Sequence, residues 1–386
     1  MSASITFFPV GNGDMALITL ESGRTILVDV RIRTGADDPD DETRDVAKDL
    51  RKRLKRDGDD RLYVDAFCLS HPDADHCGGF TRHFHLGPPA DFVKGDDKIL
   101  INEIWSSPIV FRRASKEHVL CDDAKAFNTE ARRRVKLFRE NTGAVGAGDR
   151  ILILGEDEDG KTDDLSSILV KVDSEFNKLD GSVEQSFRAR LLAPLPAADS
   201  NEEEVLTKND SSVTLRFAIA ADGDMDACKF LTGGDAEVGI WERQWDRHGK
   251  ANAEWLEYDL LLTPHHCSWH TLSWDSWSEM GEKAQVSPKA RKALSQTRSG
   301  AHIVASSEPI KDKDPDPPCV RAKTEYEGIA KDAKGKFLCT GEEPMPKDPE
   351  PLEFDITRGG VRQKKSSTGP WIKGGGTIGG APIPHG

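Results

Sequence analysis

Four side chains able to bind a metal fall within six residues in the stretch "LSHPDADHCGGF" (Leu69–Phe80): His71, Asp73, Asp75 and His76. Imidazole nitrogens and carboxylate oxygens together suit one or two divalent transition ions. Alternate residues of an extended loop point the same way, so His71 and Asp73 can converge on one point while Asp75 and His76 turn toward a second. An isolated Asp-Ala-Asp-His would read as a polar turn capping local amides. Here the set follows the apolar run "LYVDAFCLS" and precedes a Gly-Gly pair, which points to a metal loop hung from a strand end. Two further stretches repeat the pattern. "FLTGGDAE" puts Asp235 after an apolar run, where its carboxylate can bridge two ions or cap the helix that follows. "LLTPHHCSWH" puts His265 and His266 after another. Three strand-end clusters far apart in sequence can meet at one sheet edge, as in a metallohydrolase.

The elements that must position these groups are legible as a layered α/β pattern. "SITFFPV", "MALITL" and "TILVDV" read as strands broken by "GNGD" and "ESGR". Asp37–Arg56 opens with acids and closes with bases, matching a helix dipole, and is expected to be helical. "LYVDAFCLS" is apolar enough for a strand buried on both faces, and open α/β sheets place chemistry at such strand ends. "ILINEIWSS" reads as extended, and "CDDAKAFNTEARRRVKLFRENTG" as a long helix. "RILIL", "SILVKV", "FRARLLAP", "SSVTLRFAIA", "CKFLTGG", "YDLLL" and "AHIVASS" read as strands, with helices over "DAEVGIWERQWDR" and "VRAKTEYEGIAKDA".

Of the 386 residues, 53 are Lys or Arg and 67 are Asp or Glu, a net charge of −14. Such a surface repels phosphate backbones and acidic membranes, so non-specific binding to long nucleic acid is not the default. The basic runs "RKRLKR" (Arg51–Arg56) and "RRRVKLFR" (Arg132–Arg139) read as solvated helix faces. The start "MSASITFFPV" lacks a secretory pattern, no run is long enough to span a membrane, and the seven scattered cysteines include no C-x-x-C pair. These features lead us to expect a cytoplasmic protein with free thiols. The segment Arg358–Gly386 has five basic residues, no acids and many Gly and Pro, and reads as a flexible tail able to engage a protein partner.

The motifs in order resemble the metallo-β-lactamase superfamily, most closely the hydrolase domain of the competence protein ComEC. "VGNGDMALI" (Val10–Ile18), "GRTILVDV" (Gly23–Val30), "SHPDADHCGG" (Ser70–Gly79), "NDSSVTL" (Asn209–Leu215), "LTGGDAE" (Leu231–Glu237) and "PHHCS" (Pro264–Ser268) carry it. The resemblance implies an αββα sandwich, with residues 1–345 as the hydrolase domain, an insertion near 94–150, and 346–386 as an extension. It implies that His71 and Asp73 hold one ion, that Asp75, His76 and His265 hold the other, and that Asp235 bridges. Asp75 would orient the nucleophile, His266 would orient substrate rather than bind metal, and Asp14 would lie behind the ligands. No third histidine for the first ion is evident, so Asn209 or a water is expected in that slot. Asp73 stands where most relatives have histidine, which favours harder ions and makes manganese an alternative to zinc. The implied activity is metal-dependent hydrolysis, with an anionic substrate such as a nucleotide or short single-stranded nucleic acid as first reading. Hydrolysis of an ester, thioester or amide, or a partner-dependent subunit with a structural metal, are the alternatives. Two departures stand out: "DVR" (Asp29–Arg31) where relatives have Asp-Thr-Gly, and Cys267 where they have glycine.

Overall fold

A computed structural model describes residues 2–38, 40–197, 206–311 and 316–364. Its strands, in chain order, are β1 Ala3–Phe7, β2 Ala16–Thr19, β3 Thr25–Val28, β4 Lys55–Arg56, β5 Leu62–Cys68, β6 Leu100–Ser106, β7 Arg150–Leu154, β8 Leu169–Val170, β9 Glu175–Phe176, β10 Lys178–Leu179, β11 Ser182–Val183, β12 Phe187–Ala193, β13 Thr214–Ala221, β14 Asp224–Thr232, β15 Tyr258–Leu262, β16 Thr297–Ala305, β17 Lys336–Cys339, β18 Leu352–Thr357 and β19 Gly360–Gln363. Among the described residues they form a ten-stranded sheet in the order β19-β18-β1-β2-β3-β5-β6-β7-β8, with β4 on β5, and a seven-stranded sheet in the order β17-β16-β15-β14-β13-β12-β9. Strands β10 and β11 make a small separate hairpin. Each sheet is part antiparallel and part parallel: β3-β5-β6-β7-β8 run parallel in the first, β14-β15-β16-β17 in the second.

The period-2 alternation sorts side chains into four layers. Phe7, Val28, Cys68 and Trp105 share a face of the first sheet, and Phe217, Phe230 and Leu260 share one of the second. These faces meet. Phe7 packs edge-on against Phe230 at 5.6 Å between ring centroids, and Trp105 stacks on Phe217 at 6.5 Å. The opposite face of β5 presents Phe67 to Phe80, Phe84 and Phe127, which belong to helices and loops covering the first sheet. Leu231, Leu261 and Ile303 turn away from the sheet interface to pack with Trp241, Leu294 and Tyr326 on the helices Val238–His248, Pro288–Leu294 and Val320–Asp332. The mixed α/β reading therefore holds. No helix among the described residues is long and apolar enough to cross a membrane.

Several boundaries differ from expectation. Helix in the Asp37–Arg56 region is confined to Val46–Arg51, capped by the Asp45 carboxylate accepting from the Lys48 amide. Upstream, Asp38 and Asp41 accept from the amides of Asp40 and Thr43, so short acidic side chains hold turns in place of a helix. Only Leu169–Val170 of "SILVKV" pairs as strand. The region near 94–150 supplies β6 and β7 of the large sheet, with the Pro108–Glu117 and Asp122–Glu140 helices between them, and is integral to the fold. Part of its basic run is structural: buried Arg134 donates to Glu130 and to the carbonyls of Ile101 and Arg150, pinning its helix to β6 and β7. Beyond residue 345, β18 pairs with β1 and β19 with β18, so Arg358–Gln363 is ordered within the first sheet. Residues 365–386 of the expected tail lie outside the described residues.

Candidate metal centre

The site forms where strand ends of both sheets meet. β3 delivers Asp29, β5 delivers the His71–His76 loop, β14 delivers Asp235, and β15 delivers His265 and His266. Main-chain hydrogen bonds join these ends. The Asp29 amide donates to the Cys68 carbonyl, Val30 to His76, Asp14 to Asp75, Val213 to Ser70 and His265 to Gly234, each at 2.9 Å. At the far side of the loop, Asp123 in the first turn of the Asp122–Glu140 helix accepts from the amides of Gly79 and Thr81. Residues 265–267 all lie in the left-handed region, at φ +51°, +52° and +70°. Three consecutive non-glycine residues there, each costing on the order of 1 kcal/mol, mark a backbone held by its surroundings. Cys267 adopts a conformation that glycine takes freely.

Asp235 sits at the centre, and its two oxygens divide the histidines. Oδ1 lies 2.8 Å from His76 Nε2 and 3.5 Å from His266 Nε2. Oδ2 lies 3.9 Å from His71 Nε2 and 3.8 Å from His265 Nε2. Asp75 Oδ2 is 3.4 Å from His266 Nε2, and Asp73 Oδ2 is 3.5 Å from His71 Nε2. Among the described residues, Asp75, His76, Asp235 and His266 offer ligand atoms all within 4.8 Å of one another. The His71, Asp73 and His265 side is more open, and the Lys208 ammonium contacts the Asp73 carboxylate there. The expected division is therefore corrected in one respect. His266 joins Asp75 and His76 in the compact group, while His265 faces the side of His71 and supplies the nitrogen absent from the expected set there.

Each buried histidine is held from behind and offers its other nitrogen inward. His76 Nδ1 is 2.9 Å from Asp29 Oδ2, His266 Nδ1 is 3.2 Å from Asp14 Oδ1, and His71 Nδ1 is 3.3 Å from Ser212 Oγ. Outer partners of this kind set the tautomer of a metal-binding imidazole. The Nε2 atoms of His71 and His266 are buried with no hydrogen-bond partner among the described residues, an expensive state unless something binds there. Burial opposes charge on His76 and His266, but Asp235 and Asp29 outweigh it for the first and raise its pKa well above normal. Asp14 and Asp235 do the same for His266, raising it to about 10. Burial pushes the carboxyls up, yet His76 holds Asp235 well below its usual range, and His71 with Lys208 holds Asp73 at about 2. Without metal, the cluster thus keeps carboxylates ionised against imidazolium protons. A divalent ion fits this donor set and would displace those protons.

No protein-family model matches the chain, and no curated protein does.

Of the residues expected in the site, His71, Asp73, Asp75, His76, Asp235, His265 and His266 converge, and Asp14 backs His266. Asn209 does not reach the ligands: its amide donates to Glu237 at 2.8 Å. The same loop contributes Ser212, whose hydroxyl also accepts from the Asp235 amide at 3.1 Å, and Lys208. Asp29 is the main omission. It is fully buried, accepts from the Ser70 amide at 2.7 Å and from the Ser70 hydroxyl, and orients His76. Its signal was a carboxylate closing the apolar run "TILVD". Lys208 left none.

Proposed function

We propose that the protein is a metal-dependent hydrolase of the metallo-β-lactamase type, related to the ComEC hydrolase domain, that cleaves phosphodiesters in nucleotides or short single-stranded nucleic acid. The observation that carries this reading is the meeting of three distant strand-end segments around the Asp235 carboxylate, with the Nε2 atoms of His71 and His266 turned toward the centre and unbonded among the described residues. The compact group of Asp75, His76, Asp235 and His266 would hold one divalent ion, and His71, Asp73 and His265 a second. Two imidazoles and two carboxylates suit zinc or manganese, and the carboxylate Asp73 favours manganese on the more open side. When bound, the metal supplies Lewis acidity and brings the pKa of a water toward about 7.

The chain's own residues do the rest. Asp75 is only part-buried, so its carboxylate can accept a hydrogen bond from an incoming water and orient it. Asp14 and Asp29 keep His266 and His76 turned so that Nε2 faces the centre. The buried walls around His71, His76 and His266 exclude bulk water and strengthen every charge interaction inside. His265, on the side of His71, offers a further imidazole there, which supports a working centre over a structural metal. The net charge of −14 disfavours long duplexes and favours small anions admitted at the site. The test is turnover of bis-p-nitrophenyl phosphate against p-nitrophenyl acetate by metal-loaded protein and by Asp75→Asn. Diester cleavage that needs metal and falls at least about 100-fold in the variant supports the assignment. Preference for the acetate, or equal diester turnover in Asp75→Asn, refutes it.

A further inference from the structure

Arg31, two residues after Asp29 in the "DVR" stretch, lies beside the candidate metal centre. Arg31 is part-buried, and its Nη1 is enclosed with no hydrogen-bond partner among the described residues. The side chain runs across Gly13. A Cβ built on that glycine would stand 2.2 Å from Arg31 Cδ, 2.9 Å from Arg31 Nη1 and 2.6 Å from the Asp75 carbonyl oxygen. The "GNGD" turn therefore leaves room for a guanidinium to lie against the backbone of a ligand residue. The charges that act on Arg31 are those of Asp75, Arg33, Glu308 and Asp14, and none of them forms a hydrogen bond to it. Arg33 and Glu308 share the adjoining rim, since a Cβ on Gly11 would meet both at 3.5–3.6 Å. Across the centre, Lys208 flanks Asp73 as Arg31 flanks Asp75.

A guanidinium has five N–H donors in a planar fork and stays charged under all relevant conditions. Leaving one of its nitrogens buried and unbonded is costly unless an acceptor arrives there. The acceptor cannot be a cation, and an anionic oxygen makes a stronger hydrogen bond to a guanidinium than a neutral carbonyl does. A tetrahedral oxyanion with two oxygens on one side fits the fork and can turn its remaining oxygens toward the donor cluster.

We propose that Arg31 is the residue that selects a phosphate group at this site, holding the non-bridging oxygens of a phosphodiester beside Asp75. This rests on the phosphodiesterase reading above and goes past it by naming the residue that discriminates phosphate from neutral esters. Arg31 binds and orients; it transfers no proton. Losing a charge-assisted pair of hydrogen bonds weakens binding about 10- to 100-fold.

Two measurements on metal-loaded wild type, Arg31→Met and Arg31→Lys test the assignment. The first is the affinity for inorganic phosphate by calorimetry. The second is the ratio of kcat/KM for bis-p-nitrophenyl phosphate to that for p-nitrophenyl acetate. Metal content and melting temperature verify folding, and Arg31→Lys, which keeps the charge but not the fork, serves if Arg31→Met does not fold. The expected result is phosphate affinity at least about 10-fold weaker in Arg31→Met, and weaker to a lesser degree in Arg31→Lys, with the diester-to-acetate ratio falling by a similar factor. Phosphate affinity and ratio within twofold of wild type in both variants would overturn the role of Arg31 while leaving a phosphodiesterase in place. A wild type that binds no phosphate overturns it as well. Arg31-dependent phosphate binding in a protein that cleaves no diester would uphold the phosphate site and reject the phosphodiesterase instead.

Discussion

Replacing Asp29 by asparagine should weaken metal binding without unfolding the protein. Asp29 is fully buried, and its Oδ1 accepts from the Ser70 amide at 2.7 Å while Oδ2 faces His76 Nδ1 at 2.9 Å. Asparagine is isosteric and has one acceptor oxygen. That oxygen is claimed by the Ser70 amide, so the NH2 group must take the place of Oδ2. An N–H donor then meets Nδ1, which can only accept if the ring proton moves to Nε2. Nε2 is the atom 2.8 Å from Asp235 and the one that would bind the ion. The imidazole must therefore break its contact with the introduced side-chain amide or shift its proton before it can bind. Loss of an outer partner of this type costs about 10- to 100-fold in metal affinity, or about 1.4–2.7 kcal/mol. The assay is competition with a fluorescent chelator for Zn²⁺ and Mn²⁺, with circular dichroism as the folding control. Affinity of folded Asp29→Asn within twofold of wild type would show that Asp29 does not set the state of His76, and the orienting role given to the buried carboxylates would be withdrawn.

Three other outcomes are expected. His266→Ala should lose bound metal at lower chelator concentration than His265→Ala, because His266 belongs to the compact donor group and His265 to the open side; the reverse order by elemental analysis would restore the division first read from the sequence. Burial, with Glu237 nearby, raises the Asp210 carboxyl to about 6 from its ordinary 3.8, so the folded state disfavours its charge. The penalty, at most about 3 kcal/mol, is present above pH 6 and fades as pH falls through 6 toward 3.8. Asp210→Asn keeps an acceptor for the Thr207 amide and should raise Tm by several degrees at about pH 7.5 but hardly at about pH 4; equal shifts at both would rule out the charge as cause. Cys77 and Cys121 stand with sulfurs 3.6 Å apart, directly after the ligand His76 and at the start of the Asp122–Glu140 helix. Diamide should link them and lower metal content, and Cys121→Ser should remove that sensitivity; unchanged peptide masses after oxidation would refute the pairing.

The parts of the molecule that the sequence announced are those where one physical signal dominates. Apolar runs ending in polar clusters located β3, β5, β14 and β15, and with them the four strand ends that carry the ligands. The parts it hid depend on competition. In Asp37–Arg56 the acidic side chains looked like helix-start residues, but Asp38 and Asp41 bind nearby amides and stop the helix short of its expected start. Strands β17, β18 and β19 are short and of mixed composition, and their partners lie across the fold, so tertiary pairing and not local propensity makes them strands. Which of His265 and His266 turns toward Asp75 could not be read from adjacency. The resemblance implies His265 as the ligand and His266 as the group that orients substrate, whereas their placement follows from three successive left-handed residues, a conformation that residue type alone does not announce. Asn209 matched a motif position, yet Ser212, three residues on, makes the contact with His71.

Metal bound per chain is the most direct measure of the central claim, that distant strand ends build one metal centre around Asp235. Protein stripped with chelator, reloaded with Zn²⁺ or Mn²⁺ and passed through a desalting column should retain at least one equivalent. Asp235→Ala, folded by circular dichroism, should retain almost none, because its carboxylate is shared by the ligands on both sides. A wild type that retains no metal, or an Asp235→Ala protein that retains as much as wild type, would contradict the centre described here.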